Sequence, residues 1–368
     1  MFIPVAQPSL SKKERGMLLN AFDSGWIAKG SYIKEFENKI AKYFSKKYCI
    51  CVANGSFALE MAIRSLEINK QNILNISSSC VSSANSIIHS FNNPIFCDAD
   101  MKTFQMDTAD FKNICINKNI KTAIITPLYG GSPNYCEILN FTRKNKIKII
   151  EDCSQSMGAK YDGKLLGTFG ELAVFSFYSN KIITSGEGGA IITDNKKLAG
   201  NLKTLRNQGQ IAPFVSSMLG NNYKISNLLA AIGSAQMDRI DEFISKRRKN
   251  AEYLINELQE VNDIVLPINN SKIYNVYFSF PIKLKNKKIA DIVIKYLNDN
   301  GIETRNLFQP MNTQKYFKKI YPDYNANHKN AMLLFKTGFY VSCSPCLTKI
   351  ELGYIVKTIK KGIEYAKN

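Results

Sequence analysis

Short apolar segments alternate with helix-like segments along the first part of the chain, and this alternation is the feature that most limits its fold. The apolar segments are typical of strands and include YCICVAN (48–54), NILNIS (72–77), KTAIITPLYG (121–130) and KIKIIED (146–152). FALEMAIRSLEI (57–68) lies between the first two and has helical spacing. Because several strands are apolar on both faces, the pattern predicts an α/β fold with a mainly parallel sheet between helical layers.

The later part of the chain has a different order of predicted helices and strands. A long helical stretch is predicted over 227–258, followed by shorter strands and helices of an α+β type. At roughly 150 residues per domain, 368 residues correspond to about two domains. We therefore expect a large α/β domain over 1–240 and a smaller C-terminal α+β domain over 241–368.

Histidine and cysteine usage excludes several classes of protein. Two histidines, His89 and His328, cannot supply a His-rich zinc site or a two-metal hydrolase, so no metal site is predicted. Nine cysteines lack disulfide-framework spacing, and Cys343-Ser-Pro-Cys346 has no matching partner pair for zinc. With no apolar span of about 18 residues and no signal-like N-terminus, we expect a reduced, cytoplasmic protein that does not enter a membrane.

The formal net charge of +19 indicates a positive field that could attract phosphorylated metabolites, nucleic acid or an anionic membrane. The lysines are scattered, and no run of five basic residues occurs. This favours a solvated basic surface over a dedicated polyanion groove, although the groove remains an alternative.

Residues that suggest chemistry are concentrated in 151–190. Asp152 follows the apolar run KIKII, so it is expected at the carboxyl end of a strand, where open α/β sheets bind ligands. Lys181 stands between the apolar FSFY and the flexible SGEGG. Apolar surroundings disfavour an ammonium ion and make such a lysine a better imine-forming nucleophile.

A third element is Asn54-Gly55-Ser56, between a predicted strand and a predicted helix. Free N–H groups and a hydroxyl at a helix N-terminus form a phosphate site, although such a turn alone is usually only a helix cap. Together with a strand-end Asp and a pocket Lys, it fits pyridoxal phosphate, which needs a phosphate cradle, a lysine imine and an acidic partner for its ring nitrogen.

The same stretches resemble a known family. CVANGSFALEMAI, IIEDCSQSMGAKYDGKLLGTFG, AVFSFYSNKIITSGEGGAIIT and LGNNYKISNLLAAIGSAQMDRID are similar, in this order, to the signatures of the DegT/DnrJ/EryC1/StrS sugar aminotransferases. The resemblance implies the fold type I architecture of pyridoxal-phosphate enzymes. IPVAQPSL and DSGWIAKGSYIKEFE resemble the subset that aminates C4 of nucleotide-linked 4-keto-6-deoxyhexoses.

Roles for individual residues follow from the resemblance. It implies Lys181 as the imine lysine, Asp152 as the partner of the ring nitrogen and Gln155 as the neighbour of the phenolic oxygen. The phosphate would be held by Gly55, Ser56 and Ser176, and by Asn222 from a second subunit, which implies a homodimer with shared active sites. Trp26, Glu187, Lys224 and Asn312 are expected to border the sugar nucleotide, with the alternative that Trp26 and Glu187 are packing or turn residues.

The sequence also departs from the family pattern. Cys80 stands where the family commonly stacks an aromatic ring on the cofactor, so the ring support is weaker or comes from elsewhere. Lys224 replaces the arginine of GYNYR, Met157 replaces a frequent histidine, and Asn312 replaces the histidine of a P-x-H motif. These last changes concern the substrate side more than the chemistry.

The leading hypothesis is a transaminase that takes nitrogen from L-glutamate, carries it as pyridoxamine phosphate, and delivers it to the keto group, at C4, of a nucleotide-linked deoxysugar for surface polysaccharide synthesis. Alternatives are amination at C3, or of a cyclitol or keto-sugar acid. A lysine-free deoxysugar dehydratase is disfavoured because Lys181 is present. A non-enzymatic basic protein that binds nucleic acid would leave Asp152 and Lys181 without a purpose, so no nucleic-acid partner is expected.

Overall fold

The computed structural model describes residues 1–268 and 270–367. Its strands are β1 (Tyr48–Val52), β2 (Asn72–Ile76), β3 (Asn93–Cys97), β4 (Thr122–Ile125), β5 (Lys148–Asp152), β6 (Lys160–Tyr161), β7 (Lys164–Leu165), β8 (Leu172–Ser176), β9 (Gly189–Thr193), β10 (Gln210–Ala212), β11 (Val215–Ser216), β12 (Ile264–Val265), β13 (Ile273–Tyr274), β14 (Phe280–Leu284), β15 (Arg305–Asn306) and β16 (Gly338–Val341).

The helices are α1 (Lys12–Asp23), α2 (Ser31–Tyr43), α3 (Gly55–Ser65), α4 (Val81–His89), α5 (Thr108–Asn117), α6 (Tyr135–Lys144), α7 (Lys196–Arg206), α8 (Asn227–Met237), α9 (Ile240–Leu258), α10 (Lys287–Asp299), α11 (Lys315–Ile320), α12 (Lys329–Thr337) and α13 (Lys349–Lys367). A 3₁₀ turn spans Met311–Thr313. None of these helices is both long enough and apolar enough to cross a bilayer.

A seven-stranded sheet with the order β1-β9-β8-β5-β4-β2-β3 organises the larger part of the chain. Strands β8, β5, β4, β2 and β3 run parallel, whereas β9 is antiparallel to both β8 and β1. Alternate residues enter different cores: Ile125 and Ile149 pack on one face, Ile124 and Ile150 on the other. Both faces are therefore buried, which is why these strands are apolar throughout, and the predicted α/β sheet is confirmed.

The stretch 227–258, expected as one helix, forms two. Helix α8 ends before Asp238 and α9 begins after Arg239. Lys13 and Lys39 contact the Asp238 carboxylate at 2.7 and 2.9 Å, while Arg239 donates to Glu14 at 3.0 Å. These partners lie more than 190 residues away in sequence, so the local helical periodicity did not indicate the break.

A second core lies on the four-stranded sheet β12-β14-β16-β15, which packs against α9, α10 and α13. The N-terminus joins this core, because Ile3 is buried and bridges in parallel to Ile302. The chain therefore begins on the smaller core before it enters the larger one. The domain limits 1–240 and 241–368 remain a prediction.

Candidate active site

A pocket of about 320 Å³ opens at the carboxyl ends of the central strands. Loops after β1, β2, β4, β5 and β8 reach it, as expected for a parallel sheet whose strand ends meet at one edge. Eight residues selected from the sequence line this pocket: Gly55, Ser56, Cys80, Asp152, Gln155, Ser176, Lys181 and Glu187. The structure thus brings together residues that are as far apart in sequence as Gly55 and Glu187.

One wall of the pocket is the N-terminus of α3. Asn54 caps this helix, since its side-chain oxygen accepts the N–H of Phe57 at 2.9 Å. Within the described part of the chain, the N–H groups of Gly55 and Ser56 have no acceptor. A Cβ on Gly55 would lie 2.7 Å from the Cβ of Ser176, so only glycine allows this approach. Two free N–H groups beside two serine hydroxyls suit a phosphate group.

Asp152 ends β5 and is 6% exposed. Its Oδ1 accepts the hydroxyl of Ser154 at 2.6 Å and the Ser154 N–H at 3.2 Å. Burial raises the pKa of this carboxyl, and the Ser154 hydrogen bonds and the charge of Lys181 only partly oppose it. A carboxylate whose ionised form is disfavoured by burial is stabilised by a cation or a charged N–H group placed against it.

Lys181 extends from the turn after β8. Its N–H donates to the carbonyl of Tyr178 at 3.0 Å, and its Nζ lies 4.9 Å from the centroid of the Phe278 ring. Among the described residues, no hydrogen-bond acceptor or carboxylate pairs with Nζ. Burial lowers the pKa of this lysine, with partial opposition from the charge of Asp152. The amine is thereby made more available as a nucleophile and as a base.

The turn that carries Lys181 is fixed by a neighbouring helix. The Gln236 side-chain oxygen on α8 accepts the Thr184 N–H at 3.3 Å, and the Thr184 hydroxyl donates to the carbonyl of Phe177 at 3.1 Å. The Gln236 amide nitrogen in turn donates to Glu14 at 2.8 Å. Helices α1 and α8 therefore hold the backbone from which the lysine projects.

Gln155 presents its amide group to the pocket. Its side-chain oxygen accepts the N–H of Tyr129 at 2.8 Å, and a backbone N–H can bond only to that oxygen. The NH₂ end is therefore available as a donor toward the pocket that Gln155 lines. Cys80 lines the same pocket as the N-cap residue of α4, with an exposed free thiol.

Four predicted residues lie outside this pocket. Trp26 is 66% exposed, Asn222 is exposed, and Lys224 lines a separate groove beside β1. Asn312 donates to the carbonyl of Ala326 at 2.9 Å. One copy of the chain therefore does not bring these four into the pocket with Lys181.

The structure adds residues that the sequence reasoning did not select. Ser154 holds Asp152, Thr126 lines the pocket, and Phe278 covers the Nζ of Lys181. Ser154 was detectable, because a serine two residues after a strand-end aspartate is a common turn pattern. No local sequence pattern indicated that Phe278 contacts Lys181. Phe278 lies just before β14, which is distant from Lys181 in the sequence.

The chain is similar in sequence to known proteins. The DegT/DnrJ/EryC1/StrS aminotransferase family model matches residues 8–360. The chain is 33% identical over 365 residues to a GDP-perosamine synthase of Escherichia coli, with 98% of each chain covered. It is 31% identical to a GDP-perosamine synthase of Vibrio cholerae, covering 86% of this chain and 88% of that one.

Solved structures share the fold. Helicobacter pylori PseC, an aminotransferase of pseudoaminic acid biosynthesis, superposes with a TM-score of 0.93 over 99% of this chain and 100% of its own, at 20% identity. An Escherichia coli GDP-4-keto-6-deoxy-D-mannose-3-dehydratase with bound hydrated PLP gives 0.90 over 98% and 100%, at 25% identity. These two proteins share the fold but catalyse different reactions, an amino transfer and a dehydration. The fold alone therefore does not determine which reaction is catalysed.

Proposed function

The chain belongs to the DegT/DnrJ/EryC1/StrS aminotransferase family, and from this premise we propose that it transfers an amino group from L-glutamate to the C4 keto group of a nucleotide-linked deoxysugar. Family membership confirms the predicted fold type I architecture and a pyridoxal-phosphate-dependent sugar aminotransferase activity. The C4 position is supported by the likeness to two GDP-perosamine synthases along most of the chain.

The hydrogen-bond donors and acceptors of the pocket match the polar groups of pyridoxal phosphate. The free N–H groups of Gly55 and Ser56 match a phosphate, and the NH₂ of Gln155 matches a phenolate oxygen. Asp152, whose pKa is raised by burial, matches a protonated ring nitrogen. Lys181, whose Nζ has no hydrogen-bond acceptor or ion-pair carboxylate among the described residues, matches an aldehyde carbon. Each polar requirement of the cofactor thus has a counterpart on the chain.

The roles of these residues follow from their environment. When bound, the cofactor supplies a carbonyl carbon for the amino group and a conjugated ring that accepts the electron pair released at the substrate carbon. The Asp152 carboxylate holds a proton on the ring nitrogen. Lys181, whose pKa is lowered by burial, takes the proton from the substrate carbon at Nζ and returns a proton later in the cycle.

The remaining assignments concern the second subunit and the substrates. Asn222 and Lys224 lie on a loop outside the pocket of their own chain, which supports a homodimer in which this loop completes the partner's site. Glu187 lines the pocket, and we assign it to the sugar. Trp26 and Asn312 are assigned to the sugar nucleotide with Lys224. Cytoplasmic location is proposed because the donor and the sugar nucleotide are cytoplasmic metabolites.

The observation that carries the proposal is the convergence of Asp152, Lys181 and the free N–H groups of α3 in one pocket. The experiment is to incubate the purified protein with pyridoxal phosphate, L-glutamate and a panel of nucleotide-linked 3-keto and 4-keto deoxysugars. Mass spectrometry and NMR then identify the product. A 4-amino sugar supports the proposal, whereas a 3-deoxy product without nitrogen would assign the chain to the dehydratase reaction instead.

A further inference from the structure

A buried arginine on α9 does not line the pocket that contains Lys181. Arg247 is 4% exposed, and within residues 1–268 and 270–367 no carboxylate lies within ion-pair distance of its guanidinium group. Its Nε has no hydrogen-bond partner among these residues. Burial lowers the pKa of this guanidinium. A buried cation without a carboxylate is costly, so the groups that accept its remaining N–H donors are expected to be important.

The guanidinium group donates to the backbone just before β14. Its Nη1 lies 2.9 Å from the carbonyl oxygen of Phe278 and 3.4 Å from that of Tyr277. The backbone of Arg247 is fixed as well, because its own carbonyl accepts the Cys343 thiol at 3.1 Å. Burial raises the pKa of Cys343 to about 12, so this thiol stays protonated as a donor. Arg247 therefore joins α9, itself tied to the chain after β16, to the carbonyl of Phe278.

The segment before β14 is also held by the loop after β4. The N–H of Val276 donates to the carbonyl of Gly130 at 3.0 Å. A Cβ on Gly130 would lie 2.6 Å from the backbone nitrogen of Phe278, so only glycine allows this approach. Gly130 follows Thr126 and Leu128, which line the pocket. The backbone of Phe278 is thus fixed both to α9 and to the wall of the pocket.

The ring of Phe278 covers the amine of Lys181. Phe278 is 8% exposed, and the centroid of its ring lies 4.9 Å from the Nζ of Lys181. Burial lowers the pKa of Lys181, and the charges of Asp152 and Cys80 oppose this effect. Phe278 contributes apolar surface beside Nζ. The titratable residues that line the pocket with Lys181 are Cys80, Asp152, Tyr178 and Glu187.

We propose that Arg247 is a positioning residue: it holds the carbonyl of Phe278 so that the phenyl ring stays over the Nζ of Lys181 and excludes water from the amine. The inference rests on the proposed function, because a lysine that forms an imine and moves a proton must be a neutral amine for part of the cycle. A cover of apolar carbon favours that neutral form. Arg247 acts through Phe278, since it does not itself line the pocket.

The test follows the protonation of Lys181 in the cofactor-free enzyme. Acetic anhydride reacts only with neutral amines, so competitive acetylation at a series of pH values, read by peptide mass spectrometry, gives the midpoint for Lys181. Phe278→Ala admits water, and its midpoint should rise toward 10.5 by about half a pH unit or more. Phe278→Leu keeps the apolar cover and should not show this rise. An unchanged midpoint in Phe278→Ala would overturn the role of the ring. The measurement needs no amination, so its failure is distinct from a failure of the proposed function.

Arg247→Met keeps an unbranched side chain and removes the donor to the Phe278 carbonyl. We expect the Lys181 midpoint to rise as it does in Phe278→Ala, because the ring is no longer held over Nζ. Arg247→Lys retains one charged donor and should restore most of the wild-type midpoint. If Arg247→Met does not fold, Arg247→Gln, whose shorter side chain also withdraws the donor, should show the same rise. A wild-type midpoint in the folded Met or Gln variant would overturn the positioning role.

Two further variants separate positioning from a general loosening of the segment. Arg248, the neighbour of Arg247, donates to the carbonyl of Asn275 at 2.6 Å, three residues before Phe278. Arg248→Met is therefore the matched control and should keep the wild-type midpoint, whereas a rise equal to that of Arg247→Met would overturn the proposal. In Arg247→Met/Phe278→Ala the midpoint should match that of Phe278→Ala alone, because the arginine acts through the ring. A larger rise in the double variant would show that Arg247 acts on Lys181 by another route and would contradict the proposal.

Discussion

The phenol oxygen of Tyr223 lies 2.7 Å from a carboxylate oxygen of Glu60 on α3. Arg64, one turn further along that helix, donates to the same phenol oxygen at 3.0 Å, and the Tyr223 carbonyl accepts the N–H of Ala53 at 2.8 Å. Tyr223 stands between Asn222 and Lys224, while α3 begins at Gly55. The loop assigned to the partner's site is therefore anchored to the helix that holds the subunit's own phosphate cradle.

Replacing Tyr223 by Phe tests this anchor. The variant leaves the buried Glu60 and the partly buried Arg64 without a shared partner, so we expect a loss of about 1–3 kcal/mol in the free energy of unfolding. Because the loop loses its attachment, the dissociation constant of pyridoxal phosphate should also rise, as measured by cofactor absorbance. Tyr253→Phe removes a partly exposed hydroxyl and is the control. Unchanged stability together with unchanged cofactor affinity would contradict the anchoring role.

Lys181→Ala tests the central residue of the pocket. We expect the loss of the visible absorbance of lysine-bound cofactor and a fall in amino transfer from glutamate of at least about 10²–10⁴-fold. Lys283→Ala is a matched control, because Lys283 also has a pKa lowered by burial but lies on β14 in the smaller sheet. Retained activity in Lys181→Ala would remove the catalytic assignment.

The sequence predicted some of these features and not others, for a physical reason. Asp152 and Lys181 were found because a strand end and its flanking apolar residues are local signals. The cover of Lys181 by Phe278 and the helix break at Asp238 depend on residues about 100 or more positions away. Periodicity reports only on neighbours within a few residues, so such contacts become visible only in the folded chain.

Asp152→Asn keeps the shape of the side chain and removes its charge. Without the carboxylate, the ring nitrogen loses the partner that holds its proton, and the half-reaction with glutamate should slow by about a hundredfold or more. Rapid-mixing absorbance measures this rate. Asp291→Asn removes an exposed carboxylate paired with Lys287 and should have no effect. A wild-type rate for Asp152→Asn would show that the ring nitrogen does not depend on this residue.

The rate of cofactor uptake should depend on pH through Lys181. Only the neutral amine attacks an aldehyde, and burial lowers the pKa of Lys181 from the ordinary 10.5. Uptake by cofactor-free enzyme should therefore rise with pH and level off below pH 10.5. The charge of Asp152 raises this pKa, so Asp152→Asn should move the midpoint to lower pH. A midpoint at the ordinary lysine value, or a shift in the other direction, would contradict this electrostatic account.

Cys80 provides a prediction peculiar to this chain. It lines the pocket with an exposed thiol at a position where the family commonly places an aromatic ring, whereas Cys136 on α6 is exposed and does not line the pocket. Bound pyridoxal phosphate should therefore slow the reaction of Cys80 with a maleimide but leave Cys136 unprotected, as read by peptide mass spectrometry. Equal labelling of Cys80 with and without cofactor would place the cofactor elsewhere.

The same position allows cofactor affinity to be improved. Cys80→Phe restores a ring that can stack on the cofactor, and an aromatic pair contributes about 0.5–1.5 kcal/mol, so the dissociation constant should fall about two- to tenfold. Cys80→Ala removes the thiol without adding a ring and should leave affinity near the wild-type value. If both variants bind more tightly, the gain comes from removing the thiol. If only Cys80→Phe does, the natural chain lacks ring support at this position, and its cofactor is held chiefly by the phosphate cradle, Asp152 and Lys181.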